Sequence, residues 1–216
     1  FGSSPEDVRN QPGNQLAMLN LSYNFTLNEQ VNIKLYAEGT AEDLVMIAPY
    51  TYSRLIGASF YGPYSDSGDQ YTITAELSDT TGSLAWLYGQ HRNWVMYNHF
   101  IYQSGYRYYD KVIGHSLDSN SKYISLKASI SKKSGWEYGI KYQNLLVKAS
   151  DVTNPKVHFN RLSLSKERIN ILTLNVDMQS NIGKFQFNSI IMDNDVNTPR
   201  DNKMNFTVGL IWSVGI

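Results

Sequence analysis

The chain has 216 residues with 19 basic and 19 acidic side chains, no Cys, 42% apolar residues and 13% aromatics, Tyr alone contributing 16. Zero net charge argues against nucleic acid as a partner, since phosphate binding needs a basic surplus on one face. The lack of Cys excludes a disulfide framework, thiolate zinc sites and a Cys nucleophile.

The longest apolar run, Leu44 to Pro49, is far short of the roughly 20 residues a spanning helix needs. The opening Phe-Gly-Ser-Ser-Pro-Glu-Asp reads as a loop, with neither a basic n-region nor an apolar h-region. Residues 1–216 are therefore expected to be one piece of a longer chain.

Period-two alternation runs along nearly the whole length, the mark of strands with one apolar face. Leu19, Leu21, Tyr23, Phe25 and Leu27 alternate with Asn20, Ser22, Asn24 and Thr26. Val31, Ile33, Leu35 and Ala37 form the second strand, and a weaker third surrounds Ile56, Ala58 and Phe60. Tyr71 to Leu77, Ile124 to Ile130, Trp136 to Tyr142 and Leu172 to Met178 repeat the pattern. A less regular strand lies near Lys184 to Met192, and the last predicted strand runs from Met204 to Ile216. The count is nine strands, with no competing long amphipathic helix.

The connections alternate in length. Asn28 to Gln30, Gly62 to Asp69, Lys132 to Gly135 and Ser180 to Gly183 are short turns. Thr40 to Tyr52, Thr80 to Asn120, Lys148 to Ser165 and Asn194 to Asn202 are predicted longer links. Short turns at one end and long loops at the other predict an antiparallel transmembrane β-barrel, with short periplasmic turns and long extracellular loops. Bacterial barrels have even strand counts, and open strand edges are not tolerated in lipid. The nine strands are therefore read as part of a larger barrel whose remaining strands lie upstream of Phe1.

On this reading Lys34, Glu76, Lys127, Glu137, Lys141 and Asp177 face the lumen as solvated ion pairs, mixed in sign and without a ring of one charge. Glu76 with Asp79, or Glu137 with Asp177, has the composition of an acid/base pair, but strand carboxylates beside lysines need no catalytic role.

Thr80 to Asn120 is the richest segment, holding nine of the 28 aromatics and His91, His99 and His115. Within it Gly105-Tyr106-Arg107-Tyr108 precedes Ile113-Gly114-His115, with Gly13-Asn14-Gln15-Leu16-Ala17 and Glu76-Leu77-Ser78-Asp79-Thr80 upstream. This arrangement resembles the Wzi capsule-assembly family of bacterial outer-membrane proteins, well over about Gly13 to Leu126 and by strand rhythm beyond. The resemblance implies an all-β, eighteen-stranded barrel of which this chain is the C-terminal half. It implies a bacterial outer-membrane location, lipid around the barrel, and a non-enzymatic lectin role in attaching capsular or other extracellular polysaccharide. The chain departs from the pattern in lacking the family's N-terminal half and in ending at Ile216 instead of an aromatic.

Aromatic faces stack on sugars, while cations and amides take hydroxyls and uronic carboxylates. Trp94, Tyr97, His99, Tyr106, Arg107, Tyr108, His115 and Asp118 supply both kinds of group. The same residues also suit the internal core of a long loop folded over a barrel mouth. His115, Ser116 and Asp118 are too close in sequence to form a triad of the usual kind. His91, His99 and His115 lack metal-ligand spacing, so neither metal nor cofactor is expected. The competing function is an outer-membrane porin or substrate channel, which the strand pattern alone supports equally well.

Overall fold

In a computed structural model, the described residues are 16–45, 48–82, 96–98, 105–109, 111–148, 160–163, 165–195 and 203–214. They form β1 (Leu16–Asn28), β2 (Val31–Val45), β3 (Ala48–Pro63) and β4 (Gln70–Asp79). The small pair β5 (Arg107–Tyr108) and β6 (Lys111–Val112) follows. The sheet then continues with β7 (Lys122–Ser131), β8 (Trp136–Val147), β9 (Glu167–Ser180), β10 (Gly183–Met192) and β11 (Asn205–Ser213). Apart from the β5–β6 pair, the strands make one nine-stranded antiparallel sheet in sequence order, with β1 and β11 at its two ends. The expected count of nine is observed, in an all-β sheet that is open between β1 and β11.

Register explains why the alternation in each strand matters. Tyr23, Leu35, Ala58, Ala75, Leu126, Tyr142, Leu172, Ile191 and Phe206 are successive cross-strand partners, so one apolar row crosses the whole sheet. Because side chains alternate faces, rows two residues away repeat this apolar character. Many of these side chains are exposed, including Leu21, Ile73, Ile140 and Leu210. An apolar face of this extent is the inverse of a soluble domain, whose large exposed apolar patches are few.

The opposite face is polar. Asn24, Lys34, Ser59, Thr74, Lys127, Lys141, Thr173, Ile190 and Thr207 form one row. The residues expected on this face, taken together, are mixed in sign, but Lys34, Lys127 and Lys141 share a row that contains no carboxylate. The acids lie in other rows: Glu76 opposite Ser125, and Glu137 opposite Asp177. Sequence periodicity sorts residues by face but not by height, which register alone sets. Glu76 accepts the Tyr36 hydroxyl at 2.9 Å, and Asp177 pairs with Lys184 at 3.1 Å.

The short turns gather at one end, each with its own closure. The Gln30 N–H donates to Asn28 Oδ1 at 2.9 Å, Tyr64 N–H to the Asp69 carbonyl at 2.8 Å, and Lys132 N–H to the Trp136 carbonyl at 2.7 Å. Near this end the apolar face carries stacked Trp136 with Tyr138, and Phe185 with Trp212. At the other end, the expected long link Thr40 to Tyr52 is not a loop. The β2 and β3 ladder continues until Val45 pairs with Ala48. The Leu44 to Pro49 run is apolar without alternation, so it carries no period-two signal even though Leu44 and Val45 pair with Pro49 and Ala48.

The small buried core also lies at this end, on the polar face. Tyr123, Leu145, Val147 and Ile169 on β7 to β9 pack with Leu117, and Leu162 packs against them. The sheet thus supplies a wall, and Leu117 and Leu162 from the links after β4 and β8 pack against it.

Candidate functional site

The motif-bearing link is built around Tyr97. Its carbonyl accepts Tyr106 N–H at 2.9 Å and Arg107 Nη1 at 2.8 Å, and its hydroxyl accepts His115 N–H at 3.2 Å. Gly105 has φ +62°, and a Cβ there would meet the Tyr97 carbonyl oxygen at 2.0 Å. A Cβ on Gly114 would meet the Tyr97 ring at 2.5 Å. Both motif glycines therefore exist to let Tyr97 approach, one at its backbone and one at its ring. Tyr97 is buried, and that burial pushes its hydroxyl pKa up.

Arg107 and Asp118 lock this assembly. The guanidinium donates from Nη2 to Asp118 Oδ1 at 2.5 Å and from Nε to Oδ2 at 3.3 Å. The two side chains are 1% and 3% exposed. Asp118 also accepts Ser119 N–H at 2.7 Å and Arg161 N–H at 2.9 Å, tying the β8–β9 link to the same carboxylate. Asn160 completes the tie by donating to the carbonyls of Leu117 and Ser119 at 3.0 and 2.7 Å. Thr80 Oγ1 donates to the Asp118 carbonyl at 2.6 Å and accepts Ser121 N–H at 3.0 Å. The described residues of the two links thus form one hydrogen-bonded plate over the upper polar face.

What this plate holds outward is the β5–β6 hairpin, in which Arg107 pairs with Val112 and Tyr108 with Lys111. At its tip Tyr108 and Tyr109 are 67% and 84% exposed, with ring centroids 4.5 Å apart in an edge arrangement. Tyr109 adopts φ 46°, uncommon for a residue with a Cβ. Lys111 is exposed beside them. Below the hairpin, a cavity of 340 Å³ lies against the polar face, lined by Glu38, Ser53, Ser78, Tyr97, Tyr106 and His115 among others. Burial holds the His115 pKa below its ordinary value of 6.5, against an opposing pull from Glu76 and Glu38. Its Nδ1 accepts Leu117 N–H at 3.2 Å, and its ring meets Tyr123 edge-on.

The sequence-derived candidates thus divide. Tyr108 is exposed, and Tyr106 and His115 line the cavity. Tyr97, Arg107 and Asp118 are internal supports, which corrects the expectation that Arg107 grips a polymer carboxylate: Asp118 already occupies its fork. Trp94 and His99 lie outside the described residues. Tyr109 and Lys111 escaped the sequence reading, since Tyr109 follows the matched motif and its exposure depends on a turn that a tyrosine rarely makes. Among the described residues no cluster of His, Asp and Glu has the form of a metal site.

No curated protein matches the chain. A solved structure described as Wzi, an outer membrane protein involved in group 1 capsule assembly in Escherichia coli and a carbohydrate-binding β-barrel, aligns with 96% of the chain. The TM-score is 0.68 at 17% identity, a likeness of fold. The chain spans 44% of that structure, less than half its length. A family model described as capsule assembly protein Wzi matches residues 2–199, nearly the whole sequence. On that match, and with the motif glycines seated around Tyr97, the chain belongs to the Wzi capsule-assembly family.

Proposed function

We propose that this chain is the C-terminal part of an outer-membrane barrel that holds capsular polysaccharide at the cell surface as a lectin, without bond-making chemistry. The observation that carries the reading is the rigid presentation of Tyr108 and Tyr109 on a hairpin whose base is the enclosed Arg107–Asp118 pair. Exposed aromatic faces are costly to leave in water and suit the apolar faces of sugar rings. Lys111 beside them adds a cation for an acidic polymer. The family membership and the likeness to a carbohydrate-binding barrel support the same reading. The outward apolar face suits a lipid environment, and the unpaired edges of β1 and β11 call for further strands. In this proposal those strands belong to the rest of a longer protein, in an eighteen-stranded barrel.

The test is the double variant Tyr108→Ala/Tyr109→Ala in the full-length protein. Cells should shed capsule while the amount of heat-modifiable barrel in the outer membrane stays constant. Each stacked ring is worth roughly 0.5–1.5 kcal/mol, and repeated units of a polymer add avidity, so the double variant is more informative than either single one. Unchanged capsule retention would overturn the assignment of these tyrosines. The hydrogen-bonded plate over the polar face weighs against a channel, and large steady conductance from the purified protein would reverse that preference.

A further inference from the structure

The cavity under the tyrosine hairpin has a chemistry that the hairpin does not share. Its floor is two neighbouring rows of the polar face. Met18, Thr40 and Ser53 stand in register in one, and Glu38, Leu55 and Ser78 in the other. Its roof is the motif-bearing link, through Tyr106, Ile113 and His115. The hydrogen bonds around Tyr97 and the Arg107–Asp118 pair hold this roof in place, so the space is formed before any ligand arrives. At 340 Å³ it stands near the lower end of ligand sites, roughly 300–1,000 Å³. That suits one sugar ring and not a folded stretch of polymer.

Its polar groups are uncommitted. Among the described residues, the Glu38 carboxylate has no ion-pair partner and receives no hydrogen bond. The hydroxyls of Thr40, Ser78 and Tyr106 make none among these residues either, although Ser78 is only 7% exposed. His115 takes Leu117 N–H on Nδ1, and burial lowers its pKa, so the ring is neutral and carries its proton on Nε2. The cavity thus offers a strong acceptor, a ring N–H and three hydroxyls beside Leu55, Ile113 and the Tyr106 ring. A pyranose needs such a set, with partners for its hydroxyls and an apolar surface for its C–H face. A carboxylate that accepts two neighbouring sugar hydroxyls makes charge-assisted bonds, stronger than neutral ones. The same carboxylate repels a uronic acid, and Arg54 at the cavity's edge already holds Asp79 at 2.8 Å.

We propose that this cavity is a second glycan subsite, taking one neutral sugar residue of the polymer with Glu38 gripping a pair of its hydroxyls. The proposal deepens the lectin reading given above and rests on it. The exposed Tyr108, Tyr109 and Lys111 meet the surface of the chain, whereas the cavity selects the identity of a single residue.

The full-length protein in detergent, with isotope-labelled histidine rings, is titrated with methyl glycosides of glucose, galactose, mannose and rhamnose. Glucuronic and galacturonic acids are titrated alongside, and His115→Gln identifies the His115 signals. At least one neutral glycoside should shift those signals to saturation, and neither acid should match it. Glu38→Gln should weaken this binding on the order of 10- to 100-fold, the loss of a charge-assisted hydrogen bond. Ile113→Trp, at an exposed position on the rim, should block it by filling the space. Silence of His115 towards all the neutral glycosides would overturn the proposal, as would equal binding of the acids or wild-type affinity in Glu38→Gln. If Glu38→Gln does not fold, Ile113→Trp decides, because glycoside binding that survives it lies outside the cavity. Capsular polymer bound while the His115 signals stay silent refutes the cavity alone, whereas binding of neither polymer nor glycoside refutes the lectin reading with it.

Discussion

Asp118 takes the Arg107 fork and two backbone N–H groups from different links while nearly sealed from water. Removing Arg107 would leave this carboxylate enclosed and short of its cation, a loss of about 3–5 kcal/mol for a buried pair. Arg107→Ala should therefore open the link between β4 and β7 to protease while the nine-stranded sheet keeps its β content by circular dichroism. Arg107→Lys should rescue little, because one ammonium cannot span both carboxylate oxygens and the Tyr97 carbonyl. His115 gives a second test. Its pKa is lowered by burial, so the unfolded link binds protons more readily than the folded one. The stabilisation is full above the ordinary value of 6.5 and is lost as pH falls from there through the lowered folded value. Protease cleavage of the link should rise over that acid window, and His115→Gln should flatten the pH profile.

Strands carry the next level of organisation. Lys127 and Lys141 are directly opposed on β7 and β8, and like charges so placed destabilise a ladder. Lys141→Glu should raise stability by roughly 0.2–1 kcal/mol, measured as a shift in the urea midpoint of the full-length protein, and the gain should vanish in Lys127→Ala. Strand identity and face were legible in the sequence because a half-exposed strand must alternate, as Leu172 to Met178 does. Height was not legible, because the alternation is blind to which residue faces which across the ladder. The gathering of lysines in one row, and the extension of β2 and β3 to the Val45 and Ala48 pair, both follow from register. The site was half legible. Residue type and motif singled out Tyr106, Tyr108 and His115, which lie at the cavity or on the exposed hairpin, whereas the Arg107–Asp118 pairing depends on a chain reversal that no local pattern encodes.

For the whole molecule, the decisive property is that one face of the sheet is an exposed apolar surface. Leu174 lies between Ile140 on β8 and Ser189 on β10, in the middle of that surface. Leu174→Arg should cost about 2–4 kcal/mol if this surface meets lipid near the bilayer midplane, seen as reduced folding into vesicles. Thr173→Glu, one residue away on the polar face and opposite Lys141, should fold like the parent. Equal loss from both would contradict the assignment of faces.

The strict sequence order of the sheet also governs how such a molecule comes together. Every main strand pairs with the one before it, and the widest gap inside the sheet is the step from Asp79 to Lys122. Loop closure is therefore cheap for nearly every hairpin, and each can form without waiting for distant chain. The step from β4 to β7 is the exception, since the long sequence between Asp79 and Lys122 must be accommodated before the ladder resumes. Assembly can proceed as two runs, β1 to β4 and β7 to β11, joined at one junction. A shortened β4–β7 link should speed that junction while removing the tyrosine hairpin, separating how quickly the wall is built from what it presents.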